Sequence, residues 1–133
     1  MTSKVTYIGD LRTQSVHLAS GAEMITDAPV DNHGKGEAFS PTDTVANALA
    51  TCMLTVMGIK AEQNGWNMNG TVASVTKIML SEPRRIAEII VEIEMNGSFD
   101  EKQSLILERT GLNCPVLLSL HPEVKKTINF HWK

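Results

Sequence analysis

The chain lacks the features that usually mark a membrane protein or a nucleic-acid-binding protein. Its first residues contain no apolar stretch of about 7 to 15 residues, as a signal peptide would, and no run approaches the roughly 20 apolar residues that span a bilayer. The net charge of −3 gives no electrostatic reason to expect a nucleic acid or an anionic membrane as partner. These absences predict a cytoplasmic protein that binds neither.

Spacings typical of metal ligands are absent as well. Neither Cys-x-x-Cys nor His-x-x-x-His occurs among the two cysteines and the four histidines, which are His17, His33, His121 and His131. A zinc site would therefore need ligands from distant parts of the chain, and we expect no metal.

The composition is that of an ordinary globular protein, with 42% apolar and 20% charged residues in a chain of 133. A chain of this length fits one domain with one core. Residues 1–133 are therefore predicted to form a single domain, and we find no internal repeat or low-complexity tract.

The order of predicted elements is typical of an α+β domain. Three short strands precede a loop and a long helix, and a strand hairpin, two shorter helices and a last strand follow. The predicted ranges are about 4–8, 12–18, 22–26, 41–63, 70–80, 85–95, 100–110, 113–121 and 124–132. This order predicts a mostly antiparallel sheet wrapped around one long central helix.

The helix predicted from Pro41 to Gln63 has a clear start and an unusual surface. Ser40 suits the cap position, Pro41 the first helical position, and Asp43 follows three residues after the cap. Apolar residues cover most of the helix circumference, so we expect burial on nearly all sides, through a core or a subunit interface. A homodimer with packed long helices is the expected assembly.

The two cysteines are the best indication of function. Cys52 lies in the middle of the long helix, and Cys114 opens the segment Asn-Cys-Pro-Val at a predicted helix start. In a reducing cytosol they are expected to be either a transient catalytic pair or two small buried apolar residues. Unpaired N–H groups at a helix start favour a thiolate at Cys114, whereas Cys52 would need a cation from elsewhere in the sequence.

Few cations precede Cys52, and Arg12 is the one best suited to hold a thiolate and a peroxide oxygen, because its planar guanidinium stays charged in an apolar pocket. The alternative is an exposed strand arginine without such a role. Glu37 and Asp43 could orient Arg12, although the helix cap alone would explain Asp43.

Two segments resemble the OsmC/Ohr family of osmotically inducible and organic hydroperoxide resistance proteins. They are Phe39-Ser-Pro-Thr-Asp-Thr-Val-Ala-Asn-Ala-Leu-Ala-Thr-Cys52-Met and Gly111-Leu-Asn-Cys114-Pro-Val-Leu-Leu-Ser-Leu. The resemblance implies an intertwined α+β homodimer with thiol peroxidase chemistry on hydroperoxides. It implies that Cys52 is the peroxidatic cysteine, Cys114 the resolving cysteine and Arg12 the family arginine. An external dithiol would be the reductant, without a metal, haem or flavin cofactor.

One position departs from the family pattern. Members active on hydroperoxides commonly have a Glu ten residues before the reactive cysteine, paired with the arginine, and this chain has Thr42 there. A neutral hydroxyl cannot form that ion pair, so Asp43 or Glu37 would have to substitute. The alternative function is a divergent relative that binds a small hydrophobic ligand, with cysteines that only line the site.

Overall fold

In a computed structural model that describes residues 1–133, three strands near the amino terminus form an antiparallel sheet. They are β1 (Ser3–Gly9), β2 (Arg12–His17) and β3 (Glu23–Asp27), in the order β1-β2-β3. The β2–β3 register places Arg12 directly opposite Asp27. A short 3-10 turn, Val30–Asn32, follows within the predicted loop.

The long helix α1 runs from Pro41 to Gln63, as predicted. Its buried residues are confined to one face, at Ala46, Leu49, Ala50, Met53, Met57 and Ala61. Thr51, Thr55 and Ile59 are exposed in the single chain. The expected burial on nearly all sides is therefore not achieved within one chain.

By length and composition alone, α1 would suffice to cross a membrane. The sequence of α1 contains no long unbroken apolar run, because residues such as Thr51, Thr55 and Gly58 interrupt the apolar ones. Core helices of soluble proteins pass the same test, and the buried face of α1 belongs to a hydrophobic core.

The second half of the chain builds a second sheet and two helices. Strands β4 (Val72–Ser81) and β5 (Arg84–Glu94) form an antiparallel pair, and β6 (Lys125–His131) lies beside β5 in a parallel orientation. Helices α2 (Glu101–Gly111) and α3 (Pro115–Ser119) lie between β5 and β6 in sequence. Parallel strands need a long crossover connection, and these two helices provide the connection from β5 to β6.

The α+β class is confirmed, and three of the four strand pairings are antiparallel. The strands form two three-stranded sheets rather than one, however. Residues 1–45 and 46–133 each make a compact unit. The single domain remains a prediction.

The core of the second unit consists of alternate residues of β5 packed with α1 and α2. Ile89, Val91 and Ile93 are fully buried, as their alternation predicts. Leu107 of α2 and Cys114 belong to the same cluster. Gly111 at the end of α2 is also buried, and a Cβ there would lie 2.8 Å from the sulfur of Met57.

Candidate active site

Cys52 lies about three turns from the start of α1 as a free, half-buried thiol. It packs at the border of the core formed around Met53 and its neighbours. Since it follows the helix start by about three turns, no unpaired N–H group of its own helix reaches it.

Cys114 is a free thiol with no exposed surface. It caps α3, as the Asn-Cys-Pro-Val segment predicts, with Pro115 in the first turn. The backbone N–H of Leu117 donates to its sulfur over 3.4 Å. The cap places this sulfur inside the core rather than at the surface.

The structure brings the two thiols together. The pKa of Cys114 is raised, first by burial and further by the neighbouring thiol of Cys52. The N–H of Leu117 lowers this pKa but does not outweigh the burial. The protonated form of Cys114 is therefore favoured, contrary to what a helix start alone would predict, because loss of hydration costs more than one cap bond supplies.

Arg12, at the start of β2, is held by a carboxylate that the sequence did not single out. Its Nε donates to Oδ1 of Asp27 over 2.7 Å and its Nη2 to Oδ2 over 2.8 Å. The Asp27 side chain is 3% exposed and that of Arg12 33%. The pair raises the pKa of Arg12 and, against the opposing effect of burial, lowers that of Asp27.

Glu37 is a second, weaker partner of Arg12. Its Oε2 accepts from Nη2 over 3.5 Å, and its side chain is 63% exposed. Arg12 and Glu37 also line a cavity of about 160 Å³ together with Lys35 and Asp10. The expectation that Glu37 could orient Arg12 thus agrees with a contact, but Asp27 has the shorter and better buried bonds.

Asp43 forms the predicted capping box. Its backbone N–H donates to Oγ of Ser40 over 3.0 Å, and its Oδ2 accepts from the N–H of Ser40 over 2.9 Å. Ser40 is buried, with 1% of its surface exposed. Asp43 therefore stabilises the start of the helix that carries Cys52.

Sequence reasoning missed Asp27 because it ended the third strand at Thr26. One further residue of strand places Asp27 opposite Arg12 in the β2–β3 pair. The cross-strand register was the signal that could have identified it.

For a metal ion, no group of three or more His, Cys, Asp or Glu side chains is arranged as ligands.

Comparison with known proteins identifies the family. The model of the OsmC-like protein family matches residues 34–129. The chain belongs to the OsmC-like protein family. Both cysteines lie within the matched range. No significant match is found among curated proteins.

Among solved structures, this OsmC-like chain is similar to a protein of Psychrobacter arcticus 273-4 described as an osmotic stress induced and detoxification response protein. The two are 53% identical over 98% of this chain and 96% of the other, with a TM-score of 0.95. An organic hydroperoxide resistance protein OsmC of Legionella pneumophila shares the fold at 13% identity, with a TM-score of 0.72 and coverage of 98% and 96%. The organic hydroperoxide resistance protein OhrB of Bacillus subtilis does so at 14% identity, with a TM-score of 0.68 and coverage of 98% of both chains.

Proposed function

We propose that this OsmC-like protein is a thiol peroxidase that reduces organic hydroperoxides in oxidative stress defence. The observation that carries the proposal is a half-buried thiol, Cys52, packed against the same core cluster that contains a fully buried thiol, Cys114. An accessible thiol that can react, next to a protected thiol that can resolve it, is what a two-cysteine peroxidase requires. Two proteins of the same fold are described as organic hydroperoxide resistance proteins, which supports the substrate class.

In the proposed first step, the Cys52 thiolate attacks the distal oxygen of the hydroperoxide. The O–O bond breaks, the organic fragment leaves as an alkoxide and takes up a proton to become an alcohol, and Cys52 becomes a sulfenic acid. The roles of the two thiols follow from their environments. Burial raises the pKa of Cys114, so Cys114 keeps its proton while Cys52 reacts.

In the second step, the sulfur of Cys114 attacks the sulfenic sulfur of Cys52. An S–S bond forms and the S–O bond breaks, and the departing hydroxide combines with the proton of Cys114 as water. An external dithiol then supplies two electrons and two protons to restore both thiols. Because both cysteines belong to one packed cluster, resolution by Cys114 can compete with over-oxidation of Cys52.

Arg12 is proposed to stabilise the Cys52 thiolate. A guanidinium remains charged at any pH at which the protein is folded, and its fork matches an anion geometrically. Two of its nitrogens, Nε and Nη2, are used by Asp27 and Glu37, which leaves Nη1 for another anion. The side chain is one-third exposed, so the group is accessible to a bound peroxide.

We further propose that the protein acts as a homodimer. Large apolar side chains of the first sheet are exposed in the single chain, among them Val5 (63%), Tyr7 (64%) and Met24 (50%). Several large apolar side chains exposed on one three-stranded sheet are typical of a protein–protein interface. Sedimentation equilibrium should give twice the single-chain mass of 14.6 kDa, and Tyr7→Lys should shift the protein toward the monomer. A wild-type monomer at micromolar concentration would reject the dimer.

The enzymatic proposal is tested by the consumption of cumene hydroperoxide with dithiothreitol as the dithiol. We compare the wild type with Cys52→Ser and Cys114→Ser. The wild type should turn over, Cys52→Ser should be inactive, and Cys114→Ser should reduce about one equivalent and accumulate a sulfenic acid that dimedone traps.

The possible results separate the two functions considered for this sequence. A wild-type rate no greater than that of free cysteine would reject the enzyme and favour the ligand-binding alternative. Full activity of Cys52→Ser would reject only the assignment of the nucleophile. A comparison with hydrogen peroxide measures the preference for organic substrates that the apolar surroundings of α1 predict.

A further inference from the structure

We propose that Asp27 is the positioning residue for Arg12, in place of the acidic residue that this chain lacks at Thr42. The inference rests on the proposed function, because it gives Asp27 a role only through an arginine that acts on the reactive thiol. It concerns a residue on β3, far in sequence from the helix start where the family resemblance would look for it.

The geometry of the pair supports this assignment. Nε and Nη2 of Arg12 bind the two carboxylate oxygens of Asp27 at 2.7 and 2.8 Å, a bidentate fork that fixes the plane of the guanidinium as well as its distance. The two residues are direct cross-strand partners in the β2–β3 pair. Their backbones are therefore held by the sheet, and the fork needs no flexible segment to form.

Burial makes this carboxylate different from the others near Arg12. The side chain of Asp27 is 3% exposed, whereas that of Glu37 is 63% exposed and makes a single bond of 3.5 Å. A buried charge must be paired, and here Arg12 is the pairing cation. Removal of Arg12 would leave the Asp27 charge buried without this cation, and removal of Asp27 would leave Arg12 with only the exposed Glu37.

Asp27 also connects Arg12 to the loop that follows β3. Its Oδ2 accepts the backbone N–H of Glu37 over 3.1 Å. Its own backbone N–H donates to the carbonyl of Phe39 over 3.1 Å. One carboxylate therefore orders the guanidinium and the segment just before α1 together.

The test compares Arg12→Ala, Asp27→Asn and the double variant in a Cys114→Ser background, so that Cys52 is the only thiol. We measure the rate of Cys52 alkylation by iodoacetamide against pH. Each single variant should lower the rate at pH 7 by about tenfold, the size of a pKa change of about one unit. The double variant should be no slower than Arg12→Ala, because Asp27 acts only through Arg12.

In the protein with both cysteines, Asp27→Asn should also lower kcat/KM for cumene hydroperoxide by about 100-fold, the scale of a misplaced catalytic group. The matched control is Glu23→Gln. Glu23 is another acid of β3 that accepts a bond from a β2 side chain, Gln14, over 3.1 Å. This control should match the wild type in both assays.

The outcomes distinguish the two levels of the proposal. If Arg12→Ala slows alkylation and Asp27→Asn does not, the role of Asp27 is overturned and that of Arg12 stands. If the two effects multiply in the double variant, Asp27 has an independent, structural role and the inference is wrong. If Arg12→Ala itself has no effect, the arginine step of the proposed function fails, and the role of Asp27 fails with it, although cysteine-based peroxidase activity can still be present.

A measurement on the unaltered protein covers the case in which Asp27→Asn does not fold. The Nε–H of Arg12 is held in the fork, so its exchange with solvent, followed by ¹⁵N nuclear magnetic resonance, should be at least tenfold slower than that of Arg85 and Arg109. Equally fast exchange would overturn the inference.

Discussion

The capping box at the start of α1 provides the sharpest test of what Asp43 does. Ser40 and Asp43 exchange two hydrogen bonds of 2.9 and 3.0 Å at a residue that is 1% exposed. Loss of an N-cap side chain costs about 1 kcal/mol, and a buried N–H left without a partner costs about 1 to 3 kcal/mol. We therefore expect Ser40→Ala and Asp43→Ala each to lower the free energy of unfolding by about 1.5 kcal/mol.

For a chain of this length, about 1 kcal/mol corresponds to about 4 °C in Tm. Each variant should therefore melt about 6 °C below the wild type in a calorimetric scan. Because both bonds belong to one box, the double variant should lose only about 2 kcal/mol rather than the sum. Thr51→Ala is the control, since it removes an exposed hydroxyl bond from the same helix and should change stability by less than about 0.5 kcal/mol.

Strict additivity of Ser40→Ala and Asp43→Ala would refute the reciprocal box. A large loss in Asp43→Ala combined with none in Ser40→Ala would point instead to another partner for the Asp43 carboxylate. That result would reopen Asp43 as a residue that acts on Arg12.

Three further predictions concern other parts of the chain. Arg12 lowers the pKa of Asp27, so Asp27 stabilises the fold above its unfolded pKa of about 4 and ceases to do so as the pH falls through the lower folded value. The urea midpoints of the wild type and Asp27→Asn should therefore differ at pH 7 and converge as the pH falls below about 4, and a constant gap would contradict this. Gly111→Ala should lower the free energy of unfolding by about 1 to 2 kcal/mol, because its Cβ would lie 2.8 Å from a buried methionine sulfur. Gly58→Ala should raise it by up to about 1 kcal/mol, because a Cβ there would meet nothing within 4 Å. Denaturant titrations that gave the same sign for both variants would be inconsistent with this packing. Leu107→Ala should cost about 2 to 5 kcal/mol because Leu107 is fully buried, and Leu105→Ala on the exposed side of the same helix should cost less than about 1 kcal/mol in the same urea titrations.

Much of the fold could be predicted because local signals were strong. The helix from Pro41 to Gln63 has a cap, a proline and an Asn-Gly stop, and β5 alternates cleanly, so each could be placed from its own residues. The division into two sheets and the parallel position of β6 could not, because strand pairing is decided by contacts between residues far apart in the sequence.

The site was predicted less completely for the same reason. Cys114 was correctly placed at a helix start, but its burial, which decides its pKa, depends on how α2 and α3 pack on α1. Asp27 was assigned to a loop because a strand end is uncertain by a residue or two. In the structure that residue meets Arg12 across the sheet.

The parallel pairing of β6 with β5 has a consequence for the growing chain. Cys114 lies in the crossover that connects β5 to β6 (Lys125–His131). Synthesis runs from the amino terminus, so Cys52 emerges and can enter its helix long before Cys114, the resolving thiol of the proposed mechanism, is available. If Cys52 and Cys114 act as proposed, a nascent chain that ends between them would hold an oxidisable sulfur without its resolving partner, and oxidative damage during translation should fall on such incomplete copies first.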